Sequence, residues 1–204
     1  LKPMFGGRTP KQATQLCSNA TMIFNNNNSG ATIAWNYFHP KKKLPKLLEY
    51  VEDTDLWKFE KPNSKEIFAV LGIQNFTFKS WSAFARKVEN LKTRKEIIRQ
   101  GKTILVYQKK LVKQIARRAE KVTIQGKKAR AVNSPILASE VGNELATNET
   151  PVGITWYKAP DKLVVSLRSN GKVDVAKIAE HFGGGGHKAA ASFRLPKNAK
   201  LPWK

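Results

Sequence analysis

Residues 181–193 read HFGGGGHKAAASF. Four consecutive glycines are costly to order, because glycine loses more backbone entropy on folding than any other residue. Yet the run sits between a helical pattern, VDVAKIAEHF (173–182), and a small-residue strand, KAAASF, not in a linker. A glycine run after a helix lets backbone N–H groups converge on an anion with no side chain in the way. His187 adds an imidazole donor, and Ala189–Ala191 allow close packing on a sheet. A glycine C-cap with a tight turn needs only one or two such residues. Four glycines and a histidine point instead to a loop that grips a phosphate or nucleotide. The loop by itself implies no reaction.

Working outward, VGITWYK (152–158) and KLVVSLRS (162–169) read as strands about the turn Ala159–Asp161. VTIQGKKARAVNS (122–134) reads as a hairpin with Gly126 in its turn, and ASEVGNELAT (138–147) as a helix. Asp174 is placed to cap the helix before the glycines. Residues 121–195 thus form a compact α+β unit, and the Pro-rich residues 196–204 read as a surface tail. Residues 91–120 form one long helical pattern whose apolar stripe is Ile97, Ile98, Ile104, Leu105, Leu111, Ile115 and Ala119. That is longer than a mean globular helix, so it reads as a bridge between two lobes. Residues 1–90 are mostly helical. SGATIAWNYF starts at a good N-cap, Ser29, and KLPKLLEYVEDTDLW, SKEIFAVLGIQ and FKSWSAFARKVENL follow as amphipathic segments. Trp35, Tyr37 and Trp81 lie at apolar spacing and read as core, not as base-stacking residues.

Charge narrows the partner. Of 204 residues, 37 are Lys or Arg and 15 Asp or Glu, a net +22, while 41% are hydrophobic, enough for a core. Such a surplus opposes compactness unless a polyanion neutralises it, and nucleic acid is the usual one. Between 91 and 130 there are 14 Lys/Arg and 2 Glu. Lys109, Lys110, Arg117 and Arg118 on the long helix, and Lys127, Lys128 and Arg130 about the hairpin turn, are the natural phosphate contacts. No apolar run reaches spanning length and no basic helix shows a Trp/Phe face, so a membrane is not the expected partner. A single cysteine, Cys17, excludes a disulfide framework and suggests a reducing compartment. The chain starts at Leu1, and no targeting peptide is visible.

HFGGGGHKAAASF, with VSLRS at 165–169 and SPILASEVGNELA at 134–146, resembles the C-terminal DHHA1 domain of the DHH phosphoesterase superfamily. The hallmark there is G-G-G-G-H-x-x-A-A-G-F; Ser192 stands at the last glycine. The resemblance implies that Gly183, Gly184, Gly185, Gly186, His187 and the strand residue Arg168 grip a nucleotide or RNA end. FNNNNSGATIAWNYF (24–38) and LLEYVEDTDLWKFEKPNSKEI (47–67) resemble the region after the D-H-H motif in the oligoribonuclease-like branch. The likeness runs over roughly 4–195. It implies an α/β protein: a truncated DHH-type α/β lobe (1–90), a basic linker helix (91–120), a C-terminal α+β DHHA1 domain with a mixed sheet (121–195), and a tail (196–204).

The resemblance breaks where the chemistry should be. Aligned on Arg8 and Thr9, Phe5, Gly6 and Gly7 stand at the D-H-H triplet, and none of them binds a metal. The family's hydrolysis uses two divalent ions to activate water and steady the phosphoryl charge. Where the family shows an acidic F-D-x-x-x-S-G-A pattern, Phe24 is followed by Asn25 in place of the acid and then by Asn26 to Asn28. Asp53, within Glu52–Asp55, is the one residual candidate ligand; the plainer reading is that Asp53 and Asp55 cap helix ends or pair with lysines. The expectation is a pseudo-enzyme with no cofactor. It serves as a basic RNA-binding component of a large ribonucleoprotein, beside rRNA and neighbouring subunits, in an organellar (mitochondrial) ribosome. The alternative is a metal-dependent phosphoesterase or oligoribonuclease whose other ligands lie in a segment further upstream. A tRNA-editing module is disfavoured, because only His39, His181, His187 and Cys17 are present as zinc-type ligands.

Overall fold

Polar caps start the helices of the first lobe. In the computed structural model, which describes residues 23, 25 and 27–204, the Ser29 hydroxyl accepts from the Thr32 N–H and opens α1 (Gly30–Phe38). α2 (Lys46–Asp55) follows Pro45, α3 is Ser64–Leu71, and α4 (Phe78–Glu89) starts where Thr77 accepts from the Ser80 N–H. Leu47, Ile67, Val70, Leu71, Phe84, Val88 and Ile97 make the core of this lobe. Among the described residues the lobe contains no strand. Tyr37 departs from the expectation of a core residue, being 58% exposed, and Trp35 and Trp81 are only half-buried. The nine-residue α1 fully buries only Thr32, so its apolar spacing exceeds what so short a helix can cover.

The long helix α5 spans Leu91–Ala116. The chain divides into two compact units within it, between Gln108 and Lys109. In the first unit Ile97 and Gly101 are buried, and a Cβ at Gly101 would stand 2.2 Å from the Glu66 carbonyl oxygen. In the second, Val112 and Ala116 are the buried pair, with Ile115 and Ala119 beside them. The buried line there is displaced by one residue from the Leu111–Ile115–Ala119 stripe. The helix stops before residue 120 because Glu120 enters a strand paired with Ala131.

The second unit is a six-stranded mixed sheet with helices on both faces. Its elements are β1 (Glu120–Ile124), β2 (Lys127–Asn133), α6 (Ala138–Leu145), β3 (Val152–Lys158), β4 (Lys162–Ser169), α7 (Val175–His181), β5 (Gly185–His187) and β6 (Ala190–Pro196). The order is β1-β2-β3-β4-β6-β5, with β2 and β3 parallel and the other pairs antiparallel. Gln125 and Gly126 both take positive φ (45° and 71°), the geometry of a two-residue hairpin turn. β4 alternates strictly. Leu163, Val165 and Leu167 join Val152, Ile154, Phe193 and the α7 residues Val175, Ile178 and Ala179 in the main core. On the opposite face, Val132 packs with Val141 and Leu145 of α6 and with Val112 and Ala116. The C-terminal residues are tied in rather than forming a loose tail. Trp203 packs on the main core, and Thr123 and Lys204 exchange backbone hydrogen bonds of 2.7 and 3.2 Å.

Candidate nucleic-acid interface

Strand register builds the site. Lys121, Arg130, Gly153, Arg168, Ala190 and His187 are successive partners across the six strands. Directly paired residues share a face, so Arg168 and His187 lie on one side of the sheet, two strands or about 10 Å apart. Ala190 stands between them as the register partner of both.

Arg168 is held from two sides. α6 crosses the sheet so closely that a Cβ at Gly153 would lie 1.9 Å from the Gly142 carbonyl oxygen. A Cβ at Gly142 would meet the Arg168 Cγ at 2.8 Å. The Arg168 stem therefore runs past Gly142, its Nη2 donates to the Ser139 hydroxyl, and its Nη1 donates to the Leu167 carbonyl at 2.9 Å. Ser139 lies in the first turn of α6, which has no side-chain cap. Burial lowers the Arg168 pKa from its ordinary value, while Glu140 opposes that shift. Among the described residues Arg168 forms no salt bridge; the ion pairs are Lys61–Glu49, Arg99–Glu96 and Lys162–Asp161. Glu140 is near enough to act on the guanidinium but makes no salt bridge with it, so a half-buried, unbridged guanidinium beside a helix N-terminus favours an incoming anion.

The glycines divide into two jobs. The Gly183 and Gly184 N–H groups donate to the Glu180 and Ala179 carbonyls, closing α7. Those two are not available to a ligand, which corrects the expectation that the whole run converges on an anion. Gly184 is required because a Cβ there would stand 2.2 Å from the Ser192 carbonyl oxygen, and Gly186 because its φ is +149°. Gly185 pairs with Ser192 and Gly186 with Ala191, bringing exposed His187 to the outer strand.

The other basic candidates separate. Lys109, Lys110, Arg117, Arg118, Lys127 and Lys128 are exposed. Arg130 is half-buried and donates through Nη2 to the Ala116 carbonyl at 2.8 Å, so it closes the C-terminal end of α5. Ser139 and the Gly142–Gly153 contact were not singled out from sequence. A glycine inside a helix pattern and another inside a strand pattern were the available signals of close backbone approach.

In the first unit Asp53 is 4% exposed, and its Oδ1 accepts from the Glu60 and Lys61 N–H groups at 2.8 and 3.2 Å. Burial opposes its ionisation, but the Ser64 hydroxyl and those two N–H groups outweigh it and hold its pKa below the ordinary value. It thereby shapes the turn in which Trp57 and Phe59 take positive φ. Glu52 accepts from the Ser29 N–H and the Asn28 amide, fastening the start of α1 to α2. Two-metal hydrolysis needs clustered carboxylates and histidines. Among the described residues no group of three or more His, Cys, Asp or Glu stands together. The described donors, Asp53 with its unpartnered buried Oδ2 among them, do not by themselves make up a two-metal centre. Phe5, Gly6 and Gly7, and Cys17, lie outside the described residues.

Residues 108–202 match the DHHA1 domain family. An uncharacterised protein of Acanthamoeba polyphaga mimivirus is 34% identical over 185 residues, covering 85% of this chain and 42% of that protein. The chain thus spans about two fifths of that curated relative's length. Similar solved structures include a pGpG-specific phosphodiesterase from Vibrio cholerae (14% identity, TM-score 0.44, 93% of this chain and 83% of that one). A DHH domain from a member of the s1p family of ribosomal proteins matches at 16% identity and TM-score 0.45, over 75% of this chain and 43% of that one. An uncharacterised protein from Helicobacter pylori G27 matches at 17% identity and TM-score 0.35, over 93% and 67%.

Proposed function

We propose that this chain, whose residues 108–202 match the DHHA1 domain family, is a non-hydrolytic, phosphate-gripping RNA-binding protein. The observation that carries this reading is Arg168: half-buried, without an ion-pair partner among the described residues, and facing the same side of the sheet as His187. An RNA phosphate seated there would neutralise the guanidinium and accept from its remaining N–H groups, a charge-assisted bond of about twice the usual strength. Exposed Lys127, Lys128, Arg117 and Arg118 would add contacts that give affinity without reading sequence. The charge of +22 supports a setting rich in polyanion; the particle we propose is a large ribonucleoprotein, the mitochondrial ribosome first.

The test is RNA binding by the full chain as a function of salt. Arg168→Met should weaken binding and lower the salt slope by about 0.7, one single-strand phosphate contact. An unchanged slope would remove Arg168 from the interface. Manganese-dependent cleavage of short oligonucleotides would overturn the non-hydrolytic part. In native lysate the protein should sediment with a large particle and be released by RNase; a small, RNase-insensitive species would refute the particle.

A further inference from the structure

We propose a second nucleic-acid site at the C-terminal end of α1, where Tyr37 and Phe38 stack the bases of a single strand and Lys41–Lys43 hold its phosphates. The site is made of residues of the helical unit alone and does not depend on the Arg168 row.

Two independent observations meet in one stretch. Tyr37 and Phe38 are 58% and 72% exposed, and neither joins the core of their unit. Their rings form a T-shaped pair with centroids 5.0 Å apart, so a base lying on one ring meets a platform already braced by the other. His39 fixes the exit of the chain: its N–H donates to the Trp35 carbonyl at 2.8 Å and its ring packs on Trp35. Lys41, Lys42 and Lys43 follow at once and are all exposed. At most about 18 Å of extended backbone separates Phe38 from Lys43. No Asp or Glu occurs from Ser29 to Leu48.

The chemistry selects the occupant. A duplex keeps its base faces stacked inside and would leave the aromatic pair unused. An apolar protein surface would cover the rings and strand three lysines. A single-stranded nucleic acid presents π-faces and phosphates in alternation, and stacking of this kind tolerates any base.

The experiment uses the full chain, a fluorescent single-stranded RNA oligonucleotide, and an abasic ribose-phosphate strand of equal length. Tyr37→Ala and Phe38→Ala should each weaken binding of the RNA by roughly five- to a hundredfold and leave the abasic strand unaffected. Phe38→Leu, which keeps apolar bulk without a ring, should behave like Phe38→Ala. Replacing Lys41–Lys43 by Gln should weaken both strands and lower the salt slope by about 2. Phe78, 90% exposed but outside this lysine run, is the control, and Phe78→Ala should change nothing. Equal losses on both strands, no loss on either, or binding to phosphatidylserine vesicles with RNA affinity indifferent to the aromatic variants would overturn the proposal. Repeating the series in Arg168→Met separates the two sites, because the ring-dependent discrimination should persist there even if the Arg168 reading fails.

Discussion

Among the glycines of the sheet domain Gly153 leaves the least room for a Cβ, and Gly153→Ala puts that approach under stress. The new Cβ would stand 1.9 Å from the Gly142 carbonyl oxygen and 2.9 Å from its carbon, both backbone atoms that cannot rotate away. α6 must retreat by more than an ångström or the sheet must bend. α6 holds Val141 and Leu145 at 0% exposure against Val132, Val112 and Ala116. Burial of each such side chain contributes about 1.5–3 kcal/mol, and a gap of about 0.5–1 Å forfeits a quarter to a half of the dispersion contact. With some strain left in the backbone, the loss should be about 2–4 kcal/mol. For a unit of this size each kcal/mol lowers the melting temperature by about 4–8 °C. Urea denaturation, with hydrogen exchange read at the β3 and β4 amides, measures the change where it should occur. Gly142→Ala is the informative partner. Its Cβ would meet the Arg168 Cγ at 2.8 Å, a side chain that can move, the Arg168 Cβ at 3.2 Å, which must give by a few tenths of an ångström, and the Gly153 carbonyl oxygen at an ordinary 3.8 Å, and Ala is favoured over Gly in a helix by about 1 kcal/mol. Gly142→Ala should therefore be near neutral in stability while displacing Arg168 from Ser139 and weakening RNA binding. A Gly153→Ala protein within about 1 kcal/mol of the parent would refute the close seat of α6 on the sheet.

Arg168→Met should leave stability within about 1 kcal/mol, because the lost hydrogen bonds are offset by removal of an unpaired half-buried charge; chemical denaturation checks this beside the binding assay. Asp53 and Glu52 have folded pKa values held below their ordinary 3.8 and 4.5. Their contribution is present in full above those values and is lost as pH falls through the lower folded ones. Acid unfolding of the helical unit should therefore set in below about pH 4, and Asp53→Asn, followed by circular dichroism, should flatten that limb. Ser29→Ala removes the α1 cap and should cost about 1 kcal/mol, read as faster amide exchange at Thr32; unchanged exchange would show that Glu52 alone holds the start of α1.

Much of the fold was legible because its local signals agree. Ser29 and Asp174 cap helices where their side chains suggest, Gly126 sits in a hairpin turn, and the strict alternation of KLVVSLRS gives a strand with one buried face. The G-G-G-G-H loop marked the sheet domain because its chemistry is compressed into thirteen contiguous residues. Burial was harder to read. Helical spacing placed Ile97 correctly in the core but Tyr37 inside and the buried stripe of the C-terminal part of α5 one residue early, because a period of 3.6 defines a face without saying what will cover it. The charge of +22 and the residues of the Gly–His loop were set by the sequence alone. Tertiary structure decided which of them act together. Pairing register aligned Arg168 with His187, the close seat of Gly142 on Gly153 aimed the guanidinium along α6, and the capping needs of α7 and α5 consumed two glycine N–H groups and Arg130. Those are contacts between residues distant in the chain, and no local pattern encodes the register that makes them.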